Sequence, residues 1–197
     1  MNRASRPWPA TVSATCSNAW LHETEEDKMS EESLRRQLLA SFKNRALLYA
    51  LIYEELSQEV GEARAETIMK RAILRRGQQI GQQFRDYGPD DFTGLCQAFV
   101  ANVPDDGRLF QPNVIRCDSQ GLDIELQQCP LKAAWEELGL DESLRETLCR
   151  IAGEIDKGTF EAAGFEFTVD TWKPGRPGCC HLHIRPGRTD DTPTNSP

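Results

Sequence analysis

The chain has 197 residues, a formal net charge of -8 and 39% hydrophobic residues, a balance suited to one folded unit with short polar ends. A chain of this length buries roughly 70% of the surface its unfolded form exposes, so its core needs no disulfides. The acidic balance argues against a nucleic-acid surface, and no apolar run approaches the roughly 20 residues of a membrane-spanning helix.

The first 29 residues mix Pro, Ser, Thr, Trp and acids without periodicity and lack the continuous apolar stretch of a signal peptide. Residues 1–29 are therefore expected to form a disordered extension, with Met29 as the natural start. A transit peptide, suggested by Arg3 and Arg6, is disfavoured by Pro7 and Pro9. From Ser30 the pattern is helical. Leu34, Leu38, Phe42, Ala46, Tyr49, Tyr53 and Leu56 recur at steps of three and four, one stripe of a long helix that Gly61 can close. Ala65, Ile68, Ala72, Ile73, Ile80 and Phe84 repeat that spacing in a second helix, stopped by Gly88-Pro89. Asp90 or Asp91 can cap a short third helix bearing Phe92, Leu95 and Phe99.

Between Leu109 and Gln128 the period changes. Leu122, Ile124 and Leu126 alternate with Asp123, Glu125 and Gln127 beyond the turn Asp118-Ser119-Gln120-Gly121, which predicts a half-buried hairpin. Pro130 suits the first position of a helix whose apolar face is Leu131, Ala134, Trp135 and Leu138 and which Gly139 ends. Asp141 or Ser143 caps the next helix, with Leu144, Leu148, Ile151 and Ile155 on its stripe and a stop near Lys157-Gly158. Phe165, Phe167 and Val169 then alternate, a Pro/Gly turn spans Lys173 to Gly178, and Cys180, Leu182 and Ile184 alternate in a last strand. The expected fold class is α+β: N-terminal helices followed by a four-stranded antiparallel sheet built from two hairpins joined by two helices. It occupies residues 30–185 as a single domain, and the polar, proline-rich residues 186–197 make a loose tail. The amphipathic helices leave a homodimer open as an alternative.

Seven cysteines, an odd number without CxxC pairs, suit neither a disulfide framework nor a zinc ribbon and point to a reducing, cytoplasmic setting. Cys129, just before Pro130, falls at a helix cap where free N–H groups and the macrodipole favour a thiolate, although a small buried hydrophobe would also suit that junction. Cys149, Ala152 and Asp156 share a helix face. An acid near the C-terminal end of a helix meets the unfavourable end of the dipole, which raises its pKa and suits proton transfer; the plain alternative is a hydrogen bond to the loop at Gly158. In the last strand, alternation puts Cys180 inside and leaves Cys179, His181 and His183 on the open face. Convergence of Cys129, Cys149 and Cys180 with Asp156 would alternatively bind a soft metal such as zinc. Of the basic residues Lys43, Arg45, Lys70, Arg71, Arg75 and Arg76, Arg45 sits beside the apolar stripe with Tyr49 four residues on, and suits an anionic ligand best.

Four segments carry a family resemblance: Lys43 to Tyr49 (KNRALLY), Cys129 to Trp135 (CPLKAAW), Leu148-Cys149 with Asp156, and Gly178 to Ile184 (GCCHLHI). Over most of residues 34–184 the chain resembles the L-2-amino-thiazoline-4-carboxylic acid hydrolase family. The resemblance implies a hydrolase that opens a small cyclic amidine to N-carbamoyl-L-cysteine, without a cofactor and with a small-molecule substrate as its partner. It implies catalytic roles for Cys129, Asp156, Cys180 and Cys149, with Arg45, Tyr49 and Trp135 binding substrate. The competing expectation is a non-catalytic small-molecule or metal-sensing module built on the same cysteine-lined pocket.

Overall fold

The computed structural model describes residues 31–188, so Met29, Cys16 and the rest of the N-terminal extension, with residues 189–197, lie outside the described residues. The expected long first helix is α1, Glu31–Val60, and Gly61 separates it from α2, Glu62–Gly81. A 3₁₀ turn, Gln82–Tyr87, follows, then α3, Phe92–Ala101, capped by Asp91, whose carboxylate accepts the Gly94 N–H at 2.9 Å. The tight hairpin is β1, Pro112–Asp118, and β2, Gly121–Leu126. Three helices come next, α4 (Pro130–Glu137), α5 (Glu142–Ala152) and α6 (Glu154–Ala162), then β3 (Glu166–Asp170) and β4 (His181–Arg185). Among these helices none is long and apolar enough to cross a membrane.

All strand pairs are antiparallel, in the order β1-β2-β4-β3. Residues that alternate in sequence point to opposite faces, and the register aligns like with like. Leu122 faces Ile184 and Ile124 faces Leu182, while Phe167 lies opposite Ile184 on the other side. These side chains are buried beneath α3 and α6; each large one removed from water contributes about 1.5–3 kcal/mol. On the other face Asp123 meets His183 and Glu125 meets His181.

One expected boundary is displaced. The helix carrying Leu144, Leu148 and Ile151 does not run on to Lys157-Gly158: it breaks at Gly153 and a new helix starts at once, so three helices, not two, link the hairpins. Gly158 is an interior residue of α6 and marks a close crossing with α2. A Cβ on Gly77 would stand 2.2 Å from the Ile155 carbonyl oxygen, and one on Gly158 would stand 2.2 Å from that of Leu74. Glycine at both positions lets the two backbones touch, and Thr159 Oγ1, which donates to the Ile155 carbonyl at 2.8 Å, also lies 3.3 Å from the Gly77 carbonyl across the crossing. Leu138, expected on the buried face of α4, is 48% exposed, because the helix ends at Glu137 and the chain turns away at Gly139.

Two apolar clusters result. One joins α1, α2, α4 and α5 around Trp135, Leu148 and Trp172; the other joins the sheet, α3 and α6 around Phe84, Leu95 and Phe160. Phe110 and Cys129 pack against both, at the seam between them.

Candidate active site

The seam holds a cavity of about 270 Å³. Its reactive wall begins with the junction of β2 and α4. Pro130 lacks an N–H and has a φ already suited to a helix, so it takes the first helical position and makes Cys129 the cap. Cys129 is extended, with φ -144° and ψ 121°, and its carbonyl accepts the Ala133 N–H at 3.0 Å. Its sulfur closes no formed cap hydrogen bond and turns into the cavity.

There it meets Cys179. The neighbouring Cys179 thiol is the largest influence holding the Cys129 thiol below its usual range. The backbone N–H groups of Lys132 and Leu131 act in the same direction, while burial and the charge of Asp156 oppose them. Cys179 keeps its proton, because its contacts with Cys129 and Cys180, together with burial, push its pKa far up. Burial does the same to Cys149 across the cavity. Of Cys129, Cys149 and Cys179, only Cys129 is shifted toward the thiolate.

Cys179 was expected on the open face and is instead buried at 7% exposure. Leu126 donates its N–H to the Cys180 carbonyl at 2.8 Å but accepts from the N–H of Cys179 at 3.1 Å. One β2 residue thus faces two residues ahead of β4, the arrangement of a β-bulge, and strict alternation lapses there. Both sulfurs line the cavity, 3.6 Å apart. His181 and His183 do stay on the open face. They bond to Glu125 at 3.2 Å and Asp123 at 2.8 Å.

Asp156 enters the cavity from α6, whereas Cys149 and Ala152 belong to α5, so the three do not share the single helix face expected. Burial raises its carboxyl to about 7. The expected direction is correct but the expected cause is not. Asp156 occupies the first turn of α6, where the dipole favours the charged form, so desolvation overcomes the dipole. The crossing at Gly77 and Gly158 fixes this turn, since Ile155 and Gly158 are the residues it presses on α2.

The remaining expected residues come from α1 and α4. Trp135 is fully buried and its indole Nε1–H donates to the Ala46 carbonyl at 2.8 Å, which locks the ring as a wall. The Arg45 guanidinium lies 4.3 Å from the centre of the Phe42 ring, and its buried Nε has no hydrogen-bond partner among the described residues. Tyr49 borders the same space, its phenol pKa raised by burial against the pull of Arg45. An unmatched cationic donor beside a phenol is a receptor for a carboxylate.

The sequence profile of the L-2-amino-thiazoline-4-carboxylic acid hydrolase family matches residues 41–184. The chain belongs to that family. No curated protein and no solved structure matches it. In this hydrolase-family chain the seven expected site residues all line one cavity, although they come from α1, α4, α5, α6 and the approach to β4. Sequence reading misses Cys179 and the apolar wall of Phe84, Phe99 and Phe110. The signal for Cys179 was its adjacency to Cys180 ahead of a strand that starts only at His181. Among the described residues no group of three His, Cys, Asp or Glu side chains is disposed to hold a metal ion, so the zinc alternative gains no ligand set.

Proposed function

We propose that this family member hydrolyses a carboxylate-bearing cyclic amidine of the 2-amino-thiazoline-4-carboxylate type, with Cys129 as nucleophile and Asp156 as proton carrier. One observation carries the reading: a thiol held below its usual range and a carboxyl titrating at about 7 face the same enclosed space. A carboxyl with that pKa is half-protonated at neutral pH and can both give and take a proton.

The substrate carboxylate pairs with Arg45, next to the Tyr49 hydroxyl. Cys129 Sγ adds to the carbon between ring nitrogen and ring sulfur; the C=N electron pair moves to nitrogen, which takes the proton of Asp156. The adduct collapses by breaking the bond from that carbon to the ring sulfur, which departs as a thiolate. Water then adds to the carbon and gives one proton to Asp156. The C–S bond to Cys129 breaks, and the new hydroxyl's proton passes to the released sulfur. One water is consumed, one ring C–S bond is lost, and the carbon becomes a urea carbonyl, as in N-carbamoyl-L-cysteine. Cys179, beside Cys129, stabilises the thiolate at the start and end of the cycle, and Cys149 and Cys180 complete the sulfur wall.

Thiol release from 2-amino-thiazoline-4-carboxylate, assayed for Cys129→Ala, Asp156→Asn, Cys149→Ala and Cys180→Ala, tests this. Loss of turnover in the first two, with smaller effects in the others, is the expected result. Retained turnover in Cys129→Ala overturns the nucleophile; if Cys180→Ala alone is inactive, the role moves to Cys180.

A further inference from the structure

The cavity is more apolar than the parent thiazoline requires. Its solvent-exposed lining residues are Gln83 and Asn102, which locate the mouth between the 3₁₀ turn and the end of α3. Ile80 and Phe84 flank Gln83, and Phe99 and Val103 flank Asn102. The Phe84 and Phe99 rings lie 6.2 Å apart, tilted at 57°. A ligand that reaches Cys129 from this side runs past a corridor of aromatic and aliphatic side chains.

The unsubstituted thiazoline is compact and polar. Its polar groups are answered at the inner end by Arg45, Tyr49, Cys129 and Asp156, and nothing on it matches the corridor. The cavity's 270 Å³, corridor included, compares with about 150 Å³ for a site that accepts a benzene-sized group, which leaves room for a substituent on the heterocycle. Apolar walls exclude water most effectively when an apolar group fills them.

We propose that the preferred substrate carries an alkyl or aryl substituent that extends from the ring along Ile80, Phe84, Phe99 and Val103 toward the mouth. The proposal rests on the hydrolase reading for the inner end of the ligand. It assigns the corridor as a specificity pocket of this chain.

The test compares the parent thiazoline-4-carboxylate with its 5-methyl, 5-isobutyl and 5-benzyl derivatives, using the full chain. The proposal expects kcat/KM for thiol release to rise with substituent size, to about 10- to 100-fold above the parent, and Phe99→Ala to shrink that ratio to below about threefold. Equal or better use of the parent overturns it. Calorimetric binding of the same series to the Cys129→Ala protein gives a second readout independent of turnover. If no compound releases thiol, the hydrolase reading fails, while a tenfold tighter binding of the benzyl compound still supports the corridor and equal or weaker binding overturns it.

Discussion

The two faces of β4 carry equally reactive residue types and differ in how those residues are partnered. On the open face, His181 and His183 each bond to a carboxylate of β2, and Arg185 and Arg116 bond to Asp123 at 2.8 Å. The carboxylates of Asp123 and Glu125 there each have a basic neighbour. On the cavity side, among the described residues, Asp156 forms no ion pair and Arg45 Nε has no acceptor, while a thiol and backbone dipoles draw the Cys129 pKa down. Chemical poise follows from desolvation without full pairing and does not follow from residue type.

The sharpest way to break that comparison is to remove one nucleophile-grade residue from each face. Cys129→Ala is expected to lower kcat/KM by roughly 10³-fold or more, whereas His183→Ala should change it by less than about threefold, both read by thiol release. Similar losses from the two variants would mean that the open face takes part in the chemistry.

Asp156→Asn is the next largest. It should lower kcat by about 10²- to 10⁴-fold and at the same time stabilise the fold above neutral pH. The sign follows from linkage: the folded-state pKa of about 7 lies above the unfolded value, so the native state binds the extra proton between the two values. Stability is therefore lost as pH rises from about 4 through 7, by an amount on the order of 2–4 kcal/mol, and the amide removes that loss. Urea unfolding of both proteins at pH 5 and pH 8 reads it; a variant gaining nothing at pH 8 would show that Asp156 is not desolvated.

The wall behind Asp156 predicts a purely structural effect. Gly77→Ala drives a methyl into the Ile155 carbonyl and should cost about 3 kcal/mol or more, while Leu138→Ala, on the exposed end of α4, should stay within about 0.5 kcal/mol. Thermal melts separate the two. Smallest of all is Cys179→Ala, which removes the thiol beside Cys129 and should shift Cys129 alkylation upward in pH without unfolding the chain.

Most of the fold was legible because its stripes are regular: the β2 alternation of Leu122, Ile124 and Leu126 and the α1 stripe through Phe42, Ala46 and Tyr53 are buried as their spacing demands. The cap at Cys129 was legible for a local reason, the N1 preference of Pro130. What was not legible depends on distant backbone. The break at Gly153 and the interior role of Gly158 follow from the approach of α2, and no local pattern distinguishes a glycine that ends a helix from one that another helix rests on. The inward turn of Cys179 depends on which carbonyl of β2 it reaches, and alternation read along one strand is blind to a bulge. Arg45, Tyr49 and Trp135 were readable as neighbours of apolar stripes, but the aromatic corridor between Phe84 and Phe99 looked like ordinary core, since buried and cavity-facing phenylalanines share the same spacing.

The proposed chemistry requires Cys129 to ionise more readily than an ordinary thiol inside the cavity. Its alkylation by iodoacetamide as a function of pH, followed by peptide mass spectrometry, addresses that requirement directly. Cys129 is expected to react before Cys149 and Cys179, with a half-point below the value of about 8.5 for a free thiol, and 2-amino-thiazoline-4-carboxylate should protect it. A Cys129 half-point at or above the free-thiol value, unaffected by the thiazoline, would contradict it.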